Sequence, residues 1–261
     1  MSINGWTWYV CASLCLCAAS TEADERADGL KRGEQLLREL KPLTEGHPET
    51  DYYELVKDGE AVGFTIVSLE AVKEEQRLVH RYSNESGITI SEQTKLLGSM
   101  NVTLTPRFSP IRIEIEHTMI EAPGFILTNE EELLVGEKTI SISKKSRGPK
   151  VSREVPTPQG PFVFAVTSLL QRVDFAKYPS FSLRRLDPAN GQTTDLHFSV
   201  KTKPDGSREV SSTTDDGKEA LRVVMSPDGT VSSWTLAPSP YVEKRTTKER
   251  VEELKARLAK P

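Results

Sequence analysis

The chain has 261 residues, with 34 basic and 38 acidic side chains and a formal net charge of -4. This balance gives no overall attraction to phosphate backbones or anionic lipid, so we expect no nucleic-acid partner. The length suffices for one large all-β domain or two small ones.

The first predicted element is an uncharged apolar run at residues 6–19, WTWYVCASLCLCAA, which the polar sequence TEADER follows after Ser20. Such a run is typical of a secretory signal peptide and is short for a membrane span. We predict a signal peptide or lipoprotein signal over residues 1–20 and a periplasmic or secreted protein. The alternative is an uncleaved leader that anchors the protein, and only this segment would then contact a membrane.

All three cysteines, Cys11, Cys15 and Cys17, lie in this run. A chain cut after the run would contain no disulfide, no thiol nucleophile and no cysteine-ligated metal. Cys17 is a candidate lipidation site because Leu14 lies three residues before it, although Leu16 is bulkier than the residue that lipoprotein signals favour.

Residues 21–49 are predicted to form a polar helix followed by a linker. The helix has one narrow apolar stripe and ends before Pro42. That stripe consists of Leu30, Gly33, Leu37 and Leu40.

Residues 50–240 are predicted to form one antiparallel β domain. Apolar and polar side chains alternate through segments such as IRIEIEHTM at 111–119, as in a strand with one buried face. Tight turns are indicated by dipeptides that accept positive φ angles. These dipeptides are Asp58-Gly59, Asn190-Gly191, Asp205-Gly206, Asp216-Gly217 and Asp228-Gly229.

Two further helices are expected. A buried central helix is predicted over 161–173, because Pro161 lies where a helix can begin and apolar residues follow at helical spacing. A C-terminal helix is predicted within 241–261, from Thr247 to Ala259, with Val251, Leu254 and Leu258 on one stripe.

The segments YYELVKDGEAVGFTIV, SFSLRRLDPANGQTTDLHFSV and MSPDGTVSSWTL, with a helix between the strands, carry a resemblance. The chain resembles bacterial secreted proteins of unknown function and the half-open barrels of periplasmic lipoprotein carriers of the LolA and LolB type. The resemblance implies a mainly β (α+β) fold, with a curved antiparallel sheet or half-open barrel, a helix packed across one face and terminal helices. It carries no catalytic signature.

A ligand site is predicted in the concavity of that sheet. The aromatic and aliphatic residues of the central segment would line an apolar groove for a lipid or acyl chain, and the alternative is that they fill an ordinary core. These residues are Phe162, Phe164, Leu169, Leu170, Phe175 and Phe181.

Catalysis finds little support in the sequence. Glu114 and Glu116 project from one face of a strand at a spacing of roughly 7 Å, which overlaps that of glycosidase carboxyls, but their alternation with isoleucines favours a solvated face. His117 lies on an apolar face and is interpreted as a core histidine; convergence with His80 across neighbouring strands stays open. We expect no enzyme, no metal and no cofactor.

The predicted function is that of an exported, envelope-associated protein that binds an apolar ligand or lipoprotein acyl chain in the sheet concavity. The alternative is a non-catalytic interaction or scaffold protein of the cell envelope that binds another envelope protein. A hydrolase using Glu114 and Glu116 is a third hypothesis.

Overall fold

The computed structural model describes residues 25–40, 43–122 and 124–259. The predicted leader and Cys17 lie outside the described residues. The helices within them are α1 over residues 25–39, α2 (Val166–Leu170) and α3 (Lys248–Ala259). The strands are β1 (Glu49–Lys57), β2 (Glu60–Glu74), β3 (Arg77–Ser91), β4 (Thr94–Leu104), β5 (Pro110–Glu121), β6 (Phe125–Val135), β7 (Thr139–Lys145), β8 (Val151–Pro156), β9 (Ser180–Leu186), β10 (Thr193–Thr202), β11 (Arg208–Thr213), β12 (Glu219–Met225), β13 (Val231–Leu236) and β14 (Val242–Arg245).

The strands form one antiparallel sheet in the order β8-β7-β6-β5-β4-β3-β2-β1-β14-β13-β12-β11-β10-β9. The chain therefore enters at the centre of the sheet, runs to one end, crosses to the other end through α2 and returns to the centre. There β1 pairs with β14, with Tyr53 opposite Arg245. The predicted mainly β class is confirmed.

The sheet curls until its two end strands lie near each other. Arg153 of β8 donates a hydrogen bond of 3.2 Å to the carbonyl of Ala189, in the turn between β9 and β10. In the same turn, a Cβ built on Gly191 would lie 2.7 Å from Val155 of β8. The curl gives the sheet an inner face, which carries the main hydrophobic core, and an outer face.

The predicted hairpin turns are confirmed. Asp58 and Gly59, between β1 and β2, have φ angles of 53° and 87°, the pair of positive values that a two-residue type I′ turn requires. The other four predicted turns also place their glycine at positive φ. The Asp-Gly and Asn-Gly dipeptides therefore fix where these strands reverse.

The central helix is shorter than the sequence indicates. It covers Val166–Leu170 rather than 161–173, because Val163 forms a bridge with β9: its N–H donates to Arg184 O and its carbonyl accepts from Leu186. Ala165 then adopts a left-handed conformation with φ 54°. The helical spacing of the apolar residues arises from burial on several sides rather than from a long helix.

The terminal helices pack on different parts of the sheet. In α1, Gly29, Gly33, Leu36 and Leu37 are buried, a face that differs from the predicted stripe by including Leu36. In α3, Val251, Leu254 and Leu258 are buried against Phe64, in a second, smaller core on the outer face.

The sheet also extends beyond residue 240, where the sequence placed the end of the β domain. Strand β14, Val242–Arg245, pairs with both β1 and β13 at the centre of the sheet. A strand of four residues is too short to show a clear alternation of apolar and polar side chains, so the sequence does not predict β14.

Candidate functional site

The six residues predicted to line a groove all lie in or against the main hydrophobic core. Leu169 and Leu170 are fully buried, Phe181 is stacked on Phe198 with ring centroids 4.9 Å apart, and Phe164 contacts Tyr82 edge-on. Phe162 and Phe175 are each 7% exposed. In this conformation their neighbours are protein atoms, and their role as ligand-lining residues stays a prediction.

A different set of apolar residues forms an open track on the inner face. Strand register aligns Leu55 with Gly63, Gly63 with Ile88, Ile88 with Leu96, Leu96 with Met119 and Met119 with Leu127. Residues paired in this way across antiparallel strands share one face. We call Leu55, Ile88, Leu96, Met119 and Leu127 the apolar row.

The apolar row belongs to the inner face but is not covered by the core. Met119 lies four and six residues from Ile115 and Ile113, two core residues on the same strand face. Ile88, Leu96, Met119 and Leu127 are nevertheless only half-buried. The row crosses six strands, β1 to β6, a length of about 24 Å at the usual strand spacing.

The apolar row is one residue wide. A polar row runs beside it on the same face, because Thr65, Ser86, Gly98, His117 and Asn129 are paired in sequence across β2 to β6. On the other side the strands end in the hairpins around residues 91–94 and 121–125. The geometry is a narrow apolar track with a hydrogen-bonding border.

Glu243 lies at the closed end of this track. It is paired with Leu55 of β1 and with Trp234 of β13, and its Oε2 is buried with no hydrogen-bond partner among the described residues. Burial raises the pKa of Glu243 to about 8, and a hydrogen bond from Thr65 opposes part of that rise. At neutral pH this carboxyl is therefore mostly protonated and uncharged.

Two tyrosines border the same region. Burial raises the pKa of Tyr82 to about 12, and burial together with the charge of Asp51 raises the pKa of Tyr53 well above its ordinary value. Asp51 itself pairs with Arg245 at 2.6 Å and accepts a hydrogen bond from Gln171. Both phenols stay protonated; the Tyr53 hydroxyl donates to Asp51 Oδ2, and the Tyr82 hydroxyl accepts from Asn84 Nδ2.

A serine, a histidine and an aspartate form a hydrogen-bonded line where α1 crosses the sheet. Ser182 Oγ lies 2.9 Å from His197 Nδ1, and His197 Nε2 lies 2.8 Å from Asp215 Oδ1. A surface cavity of about 360 Å³ adjoins them. No sequence motif predicts this set, because its three members lie on β9, on β10 and in the turn after β11.

The geometry of this line does not suit a serine nucleophile. Ser182 is 4% exposed, and a Cβ built on Gly29 of α1 would lie 2.4 Å from its Oγ. A substrate carbonyl needs that same space for attack by Oγ. Arg26 of α1 also pairs with Asp215, so the line joins α1 to the sheet.

Glu114 and Glu116 lie on the outer face, and both side chains are exposed, as expected for a solvated strand face. Arg112 pairs with Glu114 at 2.9 Å and with Glu132 at 2.8 Å, and Lys150 pairs with Glu132 at 3.1 Å. The pKa of Glu132 is lowered, chiefly by the hydrogen bond from Lys150. Glu114 is part of a ladder of exposed ion pairs, and the side chain of Glu116 is exposed beside it.

The interpretation of His117 as a core histidine is wrong, because the sheet is uncovered where this residue lies and its side chain is exposed. His80 is the core histidine: it is fully buried against Phe108, neither ring nitrogen has a partner within the described chain, and burial lowers its pKa to about 4. His80 pairs with Leu104 and His117 with Gly98, so the two do not converge.

Fold and site define a mainly β protein with one curled, open antiparallel sheet and an apolar row on its inner face. No helix in the described ranges has the length and apolar character needed to cross a membrane.

No protein-family model matches the chain, and no curated protein matches it. Among solved structures it is similar to the crystal structure of a beta-barrel-like protein of domain of unknown function DUF1849 from Brucella abortus. The TM-score is 0.48 at 9% sequence identity, and the match covers 78% of this chain and 96% of that chain.

Proposed function

We propose that this protein is an exported, envelope-associated protein that binds one acyl chain along the apolar row. The observation that carries the proposal is the alignment of four half-buried residues, Ile88, Leu96, Met119 and Leu127, with the buried Leu55 on the inner face of a curled sheet. Isolated exposed apolar residues are normal, but a continuous row of this kind favours an apolar partner.

The shape of the row favours a single extended chain over a bulky or sheet-like partner. It is about 24 Å long at the usual strand spacing, and polar side chains border it. Each methylene removed from water contributes about 0.8 kcal/mol, so burial of ten methylenes contributes about 8 kcal/mol before the costs of association. That supports reversible binding, as a carrier requires.

Export is supported by the apolar run at residues 6–19 alone. Cys17 is proposed as the acylated residue if the leader is a lipoprotein signal. Mass spectrometry of the protein from a bacterial envelope fraction tests both: cleavage after residue 20 supports a signal peptide, and a diacylglyceryl adduct on Cys17 supports a lipoprotein.

Binding is tested with the purified protein and a fluorescent fatty acid. Leu127→Glu, in the apolar row, should weaken binding at least tenfold, because it places a charge on the track. Ile126→Glu is the matched control: Ile126 is the preceding residue on the opposite face and is 61% exposed. Equal binding by both variants, or no probe binding and no extractable lipid in the unmodified protein, would refute the proposal.

The second candidate is a non-catalytic interaction protein of the envelope. One observation favours it: the end strand β8 is exposed along most of its length, and an uncovered strand edge can accept a strand from another protein. Affinity capture from an envelope extract, with the unmodified protein and the Leu127→Glu variant side by side, separates the candidates. A partner retained by the variant supports the interaction protein.

A further inference from the structure

The two end strands of the sheet differ in how they are covered. Strand β9 is bridged by Val163 and crossed by α1, whose Arg32 donates to the carbonyl of Ser180. In β8 every residue is exposed except Val155, which is half-buried, and Val151 is 67% exposed. The turn between β9 and β10 contacts the inward side chains of Arg153 and Val155, but among the described residues no strand pairs with the outward backbone edge of β8.

The hydrogen-bond pattern identifies which residues of β8 turn their backbone outward. The N–H of Thr157 donates to the carbonyl of Lys138 in the connection before β7. Because backbone direction alternates along an antiparallel strand, residues 151, 153 and 155 face β7, and residues 152, 154 and 156 face away. Residue 156 is Pro156, which has no N–H to offer; the free donors are those of Ser152 and Glu154.

We propose that two copies of this chain associate through their β8 edges, antiparallel and centred on Ser152. In such a two-fold pair, one residue from each copy lies directly opposite the other when their numbers add to 304. Ser152 therefore lies opposite Ser152 of the second copy, and Lys150 lies opposite Glu154 of the second copy. The two Lys150–Glu154 pairs bring opposite charges together, and the outward N–H and C=O groups of Ser152 find partners.

Charge selects this register over its neighbours. A pair centred on Arg153 would place two arginines directly opposite each other, and one centred on Glu154 would do the same with two carboxylates. Lys150 now forms an exposed ion pair with Glu132, with 53% of its side chain accessible. Exposed pairs contribute little, so Lys150 can turn to Glu154 of the second copy at small cost.

The contact is short, so we expect a weak dimer that forms at high protein concentration. Sedimentation velocity of the full chain should show a monomer–dimer equilibrium. Lys150→Glu and Glu154→Lys should each weaken dimerisation about tenfold or more, and the double variant should restore it. A monomer at all concentrations, or a double variant no better than the single ones, would overturn the proposal.

Cysteine scanning tests the register independently of affinity. In a background with Cys11, Cys15 and Cys17 replaced by serine, Ser152→Cys should form a disulfide-linked dimer on mild oxidation, because directly paired Cα atoms lie about 5.5 Å apart. Glu154→Cys should not, because its counterpart is displaced by four residues, about 13 Å. Equal cross-linking at both positions, or cross-linking at 154 alone, would contradict the centring on Ser152.

Discussion

The buried carboxyl of Glu243 shows that the inner face of the sheet disfavours the ionised form of an acidic side chain. Its pKa of about 8 exceeds the ordinary value of 4.5 because the carboxyl is buried. Above pH 4.5 the unfolded chain releases this proton while the folded protein retains it, so stability falls as pH rises and the loss is complete above about pH 8. The groups that face it and titrate later are Tyr53 and Tyr82.

We predict that Glu243→Gln reduces the loss of stability between about pH 6 and about pH 9, because the amide cannot ionise. Of the window from 4.5 to about 8, the part above pH 6 corresponds to an upper bound of about 3 kcal/mol. Thermal unfolding at the two pH values measures the difference. Glu116→Gln on the outer face is the control and should retain the pH dependence of the unmodified protein; a Glu243→Gln variant that also retains it would contradict the assignment.

For His80 we predict the opposite pH dependence, a loss of stability at acid pH. Its pKa of about 4 lies below the ordinary 6.5, so the unfolded chain binds a proton that the folded protein excludes, and stability falls as pH drops through this window. His80→Leu removes the titrating group and should flatten stability between about pH 6.5 and about pH 4. Chemical denaturation at both pH values measures this; an unchanged slope would show that the acid sensitivity arises elsewhere.

Gly33 controls how closely α1 approaches the sheet. A Cβ there would lie 1.8 Å from the carbonyl oxygen of Ser182, so Gly33→Ala should destabilise the protein, although the same change in a free helix stabilises by about 1 kcal/mol. Gly148→Ala is the control, because nothing lies within 4 Å of its Cβ position. A stabilising effect of Gly33→Ala in urea unfolding would mean that α1 does not pack here.

At the scale of elements, the sequence predicts strands and turns better than helices. Alternation along β5 and the Asp-Gly dipeptides depend on local chemistry, and both are confirmed. The extent of α2 depends instead on the backbone bridge between Val163 and β9. That bridge joins the central segment to an end strand of the sheet, which no local pattern predicts.

Helix α3 is predicted to stabilise the outer face through its apolar stripe. Leu254 is 2% exposed and contacts the Phe64 cluster, so Leu254→Ala should cost about 2–3 kcal/mol. Leu236→Ala, at a residue that is 37% exposed, is the matched control and should cost much less. Urea unfolding measures both; equal effects would show that α3 contributes little.

At the scale of the whole molecule, the pairing of β1 with β14 joins the two halves of the sheet. A chain that stops at residue 240 keeps β1 to β13 but loses this join, so we expect it to lose cooperative unfolding. A chain that stops at residue 246 keeps β14. Trp234 pairs with Glu243 and reports on the join; native-like Trp234 fluorescence in the shorter chain would contradict this role.

The candidate site cannot be predicted from the sequence, because it too depends on which strands pair and in which register. Each member of the apolar row is one unremarkable residue of an alternating strand, and only strand register brings Ile88, Leu96, Met119 and Leu127 into line. The sequence predicts that the six lining residues are apolar and buried, but it cannot distinguish a filled core from a groove. Exposure on the curled sheet identifies the half-buried apolar row, which no sequence pattern marks.

Methionine methyl groups test the central claim most directly. The described chain has Met119 in the apolar row, Met100 next to the polar row and Met225 deep in the core, 1% exposed. In methyl-labelled protein titrated with a long-chain fatty acid, we predict a large, saturable shift of the Met119 resonance and none for Met225. An unmoved Met119 signal, or equal shifts of both, would contradict binding along the row.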